Sequence, residues 1–367
     1  MVRTKFRLSI LIVFCFLFVL FTPVLAHAED KLEILTSSAK VQFPSEITFS
    51  ISARSPVNIN DIRLRYKIDQ LGFTQIINES YLEFSAAPAV KADWILDIRR
   101  TGNIAPGTKI EYWWLLTDVK GTKLETESAS VTFDDPRYNW QSSTAGQVTI
   151  FWYEGNATFA TELLNSSQQA ITRLTEGTEA SISKPIRLYI YADSDDMRGA
   201  MVYSTGWEGG MTYWDYPVVI GAISPSQLAW GKTLIAHELS HMVTRQLTLN
   251  TYGNIPTWLH EGISVYAEGQ PTNYRLTVLK NAIAEGSLIS VMSLTSQFSA
   301  DPKLATLSYI ESYSIVDFLI KTYGQKKISE LLEVFKKGST YDDALQKVYG
   351  FDMEGLHAKW LSWVTRN

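Results

Sequence analysis

The pentapeptide HELSH at residues 237–241 constrains the fold of this chain more than any other feature. A helix turns about 100° per residue, so two side chains four residues apart lie about 40° apart on one face. On a helix, His237 and His241 can therefore reach the same ion. Glu238 lies beside that face, where it can accept a proton from a water molecule. The pattern predicts a helix over residues 232–247 that carries a metal site.

A catalytic zinc ion needs a third protein ligand, and the segment PTWLHEG at 256–262 is placed to supply it. Proline and threonine predict a second helix here, which can pack back on the first. Glu261 would then point at the metal. Glu268, two turns further on the same face, is an alternative third ligand, although we prefer an outer role for it. His260 points about 100° away from Glu261 and is expected to be a pocket or surface residue.

The first 28 residues have the pattern of a secretory signal peptide. Three cations lie within the first seven residues, an apolar run follows over 8–21, and Ala-His-Ala at 26–28 fits a cleavage site. The apolar run is shorter than the roughly 20 residues of a comfortable membrane span. We therefore predict a secreted or extracytoplasmic protein with a cleaved signal, and an uncleaved membrane anchor is the alternative.

The position of the one cysteine and the net charge limit the kinds of metal site and partner that are expected. Cys15 is the only cysteine, and it lies inside the predicted signal segment. A zinc site elsewhere must therefore use His, Asp or Glu, which favours an open catalytic site over a closed structural one. The net charge of −5 becomes −8 when the three cations of that segment are removed. Without a basic patch, no nucleic-acid partner is expected.

Residues 29–136 are predicted to form a β domain. Polar and apolar residues alternate at 46–51, 62–66, 110–112 and 130–133, with turn residues between them. Such spacing is typical of an antiparallel sandwich, and on pattern alone it resembles an immunoglobulin or fibronectin type III module. The domain contains no catalytic constellation, so a targeting, inhibitory or spacer role is open.

Residues 137–367 have a different pattern of predicted strands and helices, which indicates a second domain. Strands at 148–152, 185–191 and 216–220 precede a mostly helical sequence beyond Trp230. Strands followed by helices are typical of an α+β fold. The predicted fold class is therefore α+β, with a small mixed sheet and a mainly helical C-terminal half behind the β-sandwich.

The HELSH segment followed by PTWLHEGISVYAEG at 256–269 resembles the gluzincin zinc peptidases and is most similar to the peptidase MA-like group. The WLHEG part is also similar to the aminopeptidase branch. The similarity covers about residues 145–367 and is strongest over 232–324. It implies a thermolysin-like zincin domain.

Carried over to this chain, the resemblance implies roles for five residues. One Zn2+ ion would be bound by His237, His241 and Glu261. Glu238 would be the general base and then the general acid. Tyr309 matches a tyrosine of the group's downstream helix and would donate a hydrogen bond to the oxyanion, with core packing as its alternative role. The glycine-rich amine-recognition motif of the aminopeptidases is missing, which favours an endopeptidase.

The sequence therefore predicts a secreted or cell-envelope zinc metallopeptidase that acts on a peptide or protein substrate. The substrate is expected to lie along an edge strand at 216–223, because Pro217 is tolerated at an edge. The N-terminal segment or the β domain would provide any association with the cell envelope. A catalytically inactive zinc protein that acts in cell-surface binding is one alternative. A non-peptidase hydrolase with the same metal chemistry is another.

Overall fold

The structure is a computed structural model, and it describes residues 31–72, 75–175, 182–204, 209–253 and 255–366. The predicted signal segment at 1–28 lies outside these ranges. Among the described residues, no helix has the length and apolar character needed to cross a membrane.

The N-terminal part forms one antiparallel, hydrogen-bonded sheet of seven strands, and a short helix α1 (Ile98–Thr101) follows its fourth strand. The strands are β1 (Glu33–Gln42), β2 (Glu46–Ile68), β3 (Asn78–Tyr81), β4 (Ala87–Asp97), β5 (Thr108–Asp118), β6 (Lys123–Glu125) and β7 (Ala129–Phe133).

Strand β2 organises this sheet. Its first half pairs with β1 and β4, and its second half pairs with β3 and β5. The sequence predicted two separate strands here, but they are one strand whose register shifts between Arg54 and Ile59. Pro56 lies inside that irregular stretch, where its missing N–H interrupts no regular ladder.

Aromatic side chains from both halves of the sheet meet in its core. The Phe49 ring lies 5.0 Å from that of Tyr112, and the Tyr66 ring lies 5.4 Å from that of Trp94, between ring centroids. The predicted antiparallel β architecture is confirmed. The likeness to an immunoglobulin or fibronectin type III module stays a prediction, as does the division into domains 29–136 and 137–367.

The second sheet has five strands in the order β11-β12-β10-β9-β8. Strands β9, β10 and β12 are parallel, whereas β8 and β11 pair antiparallel at the two edges. The predicted mixed sheet is thus present. Its strands are β8 (Gln141–Ala145), β9 (Val148–Trp152), β10 (Ile186–Tyr191), β11 (Gly210–Tyr213) and β12 (Val218–Ala222).

The prediction that residues 216–223 form an edge strand is wrong. Strand β12 occupies that stretch and is covered on its outer side by β11, whose Met211 faces Ile220 in the ladder. Pro217 is tolerated because it precedes the first ladder residue of β12. Its carbonyl accepts the N–H of Arg187 at 2.9 Å, and no N–H is required of it. On this side of the sheet, the edge strand is β11.

Helices make up most of the chain after the second sheet, in agreement with the predicted helical half. The helices predicted at 232–247 and after residue 256 are confirmed. The helices are α2 (Ala157–Thr175), α3 (Ser194–Arg198), α4 (Leu228–Thr248), α5 (Thr257–Glu268), α6 (Asn273–Glu285), α7 (Pro302–Tyr323), α8 (Gln325–Lys336), α9 (Tyr341–Tyr349) and α10 (Met353–Val364).

The second sheet lies between two hydrophobic cores. Alternate residues of β10, such as Leu188 and Ile190, pack into the helical core, while Tyr189 and Tyr191 pack into the core shared with the first sheet. Successive side chains of a strand point to opposite faces, so both faces of β10 are buried. On the helical side, α4 packs against β11, β12, α2 and α5, and α5 also packs against α7. This packing brings α4, α5 and β11 together.

Candidate metal centre

Helices α4 and α5 bring the three predicted ligands together. His237 and His241 lie one turn apart on α4, with their ring centroids 4.7 Å apart. Glu261 Oε2 on α5 lies 3.5 Å from His237 Nε2 and 3.6 Å from His241 Nε2. Zinc bonds of about 2.0–2.1 Å in tetrahedral geometry place ligand atoms about 3.3–3.4 Å apart. The observed spacing is therefore close to that of three ligands around one ion.

The hydrogen bonding of Glu261 supports this interpretation. Its Oε2 atom is buried and has no hydrogen-bond partner within the described residues. A buried carboxylate oxygen without a hydrogen bond is costly, because it has lost its hydration without gaining a donor. A cation between the three ligand atoms would satisfy it. Two imidazoles and one carboxylate are also a donor set that zinc accepts.

The electrostatics of the cluster favour a positive charge at its centre. Burial opposes protonation of His237, but the carboxylates of Glu261 and Glu268 overcome it and raise its pKa to about 10. Burial also opposes ionisation of Glu261, yet His241 and His237 hold the pKa of that carboxyl below its ordinary value. Burial keeps the pKa of His241 well below its ordinary value. A bound cation would supply the charge that these buried carboxylates attract.

An outer carboxylate fixes the orientation of the His237 ring. Glu268 Oε1 lies 2.8 Å from His237 Nδ1, on the opposite side of the ring from Nε2. Arg275 Nη1 donates to Glu268 Oε2 at 2.6 Å and holds that carboxylate in place. In its neutral form, with the Nδ1–H donated to Glu268, His237 presents its Nε2 lone pair to a cation in place of the Nε2 proton. Glu268 therefore lies on the Nδ1 side of the His237 ring, away from the three clustered ligand atoms, as expected for the outer role preferred for it.

Ser264 gives His241 a similar support. Its Oγ lies 2.9 Å from His241 Nδ1, 3.0 Å from the carbonyl oxygen of His260 and 2.5 Å from Ser240 Oγ. When the Ser264 hydroxyl donates to that carbonyl, its oxygen is free to accept the Nδ1–H of His241. The Nε2 atom of His241 then faces Glu261 with its lone pair free.

Edge strand β11 positions Glu238. Thr212 Oγ1 donates to Glu238 Oε2 at 2.8 Å and lies 2.9 Å from its main-chain carbonyl oxygen. Gly210 keeps the adjacent space open, because a Cβ there would lie 3.2 Å from Glu238 Cγ. Burial raises the pKa of Glu238. The carboxylate is thus held against β11, beside the two histidines of its own helix.

Tyr309 and His260 both lie near the cluster. The Tyr309 ring on α7 has its centroid 6.1 Å from that of His237, and burial raises the pKa of its hydroxyl. His260 is a buried residue that stacks on His241 with 4.2 Å between ring centroids. It lines a cavity together with Trp214, which is consistent with the pocket role predicted for it.

Three supporting residues were not found from the sequence: Thr212, Ser264 and Arg275. Ser264 could have been found, since it lies three residues after Glu261 and so near the same face of α5. Thr212 and Arg275 could not, because tertiary packing alone brings them to the site.

The chain is only weakly similar to solved structures. Among solved structures, a family 56 carbohydrate-binding module that binds β-1,3-glucan is 18% identical, over 26% of this chain and 95% of its own, with a TM-score of 0.18. A polysaccharide deacetylase from Bacillus cereus is 12% identical, over 55% of this chain and 66% of its own, with a TM-score of 0.22. Likenesses this weak bear no weight for function. A search among curated proteins finds no match.

The model of one protein family matches residues 166–366, and its description is the peptidase MA superfamily. The matched segment is more than half of the chain and includes helices α4, α5 and α7 with the three clustered ligands. The chain therefore belongs to the peptidase MA superfamily.

Proposed function

We propose that the protein is a zinc metallopeptidase of the gluzincin type. The observation that carries the proposal is the cluster of His237, His241 and Glu261, in which a buried carboxylate oxygen has no other partner among the described residues. A zinc ion held there would polarise a carbonyl oxygen and lower the pKa of a water molecule to about 7. The remaining chemistry belongs to side chains of this chain.

Glu238 is the proton carrier of the proposed reaction. Its carboxylate accepts a proton from the attacking water and delivers it to the nitrogen of the departing amine. The hydroxyl of Thr212 holds one carboxylate oxygen, so the other is left to exchange the proton. Because Thr212 belongs to β11, the strand proposed to bind the substrate also holds the general base in position.

The same edge strand offers a place for the substrate. Among the described strands, β11 pairs only with β12, so its other side presents main-chain N–H and C=O groups. An extended peptide can add to such an edge by main-chain hydrogen bonds. We therefore propose that β11, and not the segment 216–223, binds the substrate. In this arrangement the scissile bond would lie next to Glu238.

Tyr309 is proposed to stabilise the oxyanion. Its ring lies on α7 close to His237, and its raised pKa keeps the hydroxyl protonated as a donor.

We also propose that residues 1–28 are a signal peptide, 29–136 an accessory β domain and 137–367 the peptidase domain. The protein would then act outside the cytoplasm on peptide or protein substrates.

A peptide-library cleavage assay on the zinc-loaded protein tests the proposal. We expect cleavage that a chelator abolishes and added zinc restores, and that Glu238→Gln abolishes while zinc stays bound. Glu330→Gln is the matched control, since this carboxylate lies on α8 and pairs with Lys327. Undiminished hydrolysis by Glu238→Gln would contradict the role of Glu238. Zinc binding without cleavage of any peptide would favour a cell-surface binding protein instead.

A further inference from the structure

A cavity of about 390 Å³ opens beside the candidate metal centre, with Glu261 in its wall. This size is within the range of small-ligand sites and accommodates an amino-acid side chain. We name it the Arg245 pocket, after the cation that lines it together with Trp214, His260 and two threonines. Because Glu261 is a proposed ligand, a group in this pocket would lie next to the scissile bond.

Arg245 brings an incompletely paired guanidinium group to the pocket. Its Nε atom is buried and has no hydrogen-bond partner among the described residues. Its nearest acidic neighbour is Asp215, at 3.6 Å between Nη2 and Oδ1, which is beyond hydrogen-bond length. The Asp215 side chain is 66% exposed, so water weakens this ion pair. A permanently charged residue with an unpaired Nε–H donor therefore lines the cavity.

His260 supplies a second free donor in the same wall. The residue is only 9% exposed, and its Nε2 atom is buried without a hydrogen-bond partner in the described part of the chain. Its ring is held between His241, on which it stacks at 4.2 Å, and Trp214, at 4.7 Å. In the tautomer with its proton on Nε2, His260 has an unused donor in the wall of the cavity.

The other polar groups of the wall do not compete for this role. The hydroxyls of Thr248 and Thr257 donate to main-chain carbonyl oxygens, at 2.8 and 3.0 Å. Besides the indole N–H of Trp214, the remaining side-chain donors are those of Arg245 and His260. Both suit a group that only accepts hydrogen bonds and carries negative charge, which describes a carboxylate.

We propose that the Arg245 pocket binds a carboxylate of the substrate next to the scissile bond. The carboxylate can belong to an aspartate or glutamate side chain or to a free C-terminus, which share this chemistry. The proposal rests on the proposed peptidase function and names the class of substrate on which it acts. Arg245 is its main specificity-determining residue.

Paired peptides test the proposal on the unmodified, zinc-loaded protein. In a cleaved library peptide, the residues on both sides of the scissile bond are varied between Glu and Gln, and the C-terminus between free acid and amide. We expect kcat/KM to be about 10- to 100-fold higher for the peptide that places a carboxylate in the pocket. If the higher kcat/KM depends on Glu in place of Gln, the pocket binds an acidic side chain. If it depends on a free acid in place of the amide, the pocket binds the C-terminal carboxylate. Equal rates for all pairs overturn the proposal.

Two variants connect the preference to Arg245. Arg245→Met should reduce the acid-to-neutral ratio of kcat/KM to near one, and Arg245→Glu should shift the preference to Lys at the same position. Arg54→Met is the matched control, since it removes one positive charge from an exposed arginine of β2 that pairs with Glu33. The control should keep the wild-type ratio. A wild-type ratio in both Arg245 variants overturns the assignment.

A binding measurement separates this proposal from the proposed function. Zinc-loaded Glu238→Gln is titrated with the Glu and Gln forms of the peptide by calorimetry. We expect about 10- to 100-fold tighter binding of the acidic form. If the wild type cleaves no peptide but the acidic form binds preferentially, the peptidase function fails and the pocket stands. If the wild type cleaves peptides and the two forms bind equally, the pocket proposal fails alone.

Discussion

Removing the carboxylate of Glu268 should weaken zinc binding although Glu268 lies outside the proposed ligand set. It accepts the Nδ1–H of His237 at 2.8 Å, and its side chain is only 9% exposed. A hydrogen bond to a charged group contributes about 1.5–3 kcal/mol, and little water reaches this one to weaken it. That energy corresponds to about 10- to 150-fold in a dissociation constant. Loss of a partner that orients a metal-binding histidine has effects of about 10- to 100-fold in other metal sites.

We therefore expect the zinc Kd of Glu268→Ala to rise by about 10- to 100-fold. Glu268→Gln should have a smaller effect, because the amide oxygen can still accept the Nδ1–H. The assay is competition for zinc against a chromophoric chelator at fixed pH. Glu330→Ala controls for the loss of one surface carboxylate of α8. A folded Glu268→Ala protein with the wild-type Kd would refute the argument that Glu268 fixes the ring of His237.

Three further predictions concern α5 and α7. Gly262→Ala should lower the free energy of unfolding by at least about 2 kcal/mol in urea denaturation, because its Cβ would lie 2.4 Å from the carbonyl oxygen of Ser312. Gly253→Ala should change this free energy little, because a Cβ at that position meets open space. Burial raises the pKa of Glu311 to about 8 from an ordinary 4.5. Between these pH values the folded protein keeps a proton that the unfolded chain has lost. The free energy of unfolding should therefore fall as the pH rises from 4.5 to about 8. Glu311→Gln should remove this fall, of up to about 1.4 kcal/mol per pH unit, and an unchanged pH profile would contradict the assignment. Tyr309→Phe should lower kcat by roughly 100-fold at unchanged zinc content, and an unchanged kcat would leave Tyr309 a packing role.

The sequence predicted the centre of the site because its information is local. The four-residue spacing of His237 and His241 requires a helix, and a short connection requires the helix with Glu261 to pack nearby. Spacing also placed Glu268 on the same face of α5, two turns beyond Glu261, but it left both a ligand role and an outer role open. Such features depend on helix geometry, which residue spacing determines before any tertiary contact forms.

The remaining features depend on contacts that spacing does not determine. Strand β11 has four residues and begins with Gly210, so no alternating pattern revealed it, and the edge was assigned to the more apolar β12. Thr212 reaches Glu238 across 26 residues of sequence, and Arg245 enters the pocket only through the packing of α4 and α5. The prediction placed two strands at 46–51 and 62–66 because the alternation of polar and apolar residues is interrupted between them, where the register of the single strand β2 shifts.

The most direct test of the central claim is the zinc content of the purified protein, measured by mass spectrometry beside that of Glu261→Ala. The account predicts one zinc ion per chain in the wild type and nearly none in Glu261→Ala, provided that circular dichroism shows the variant to be folded. Equal zinc in both proteins, or no zinc in the wild type after loading, would contradict the assignment of His237, His241 and Glu261 as the metal site.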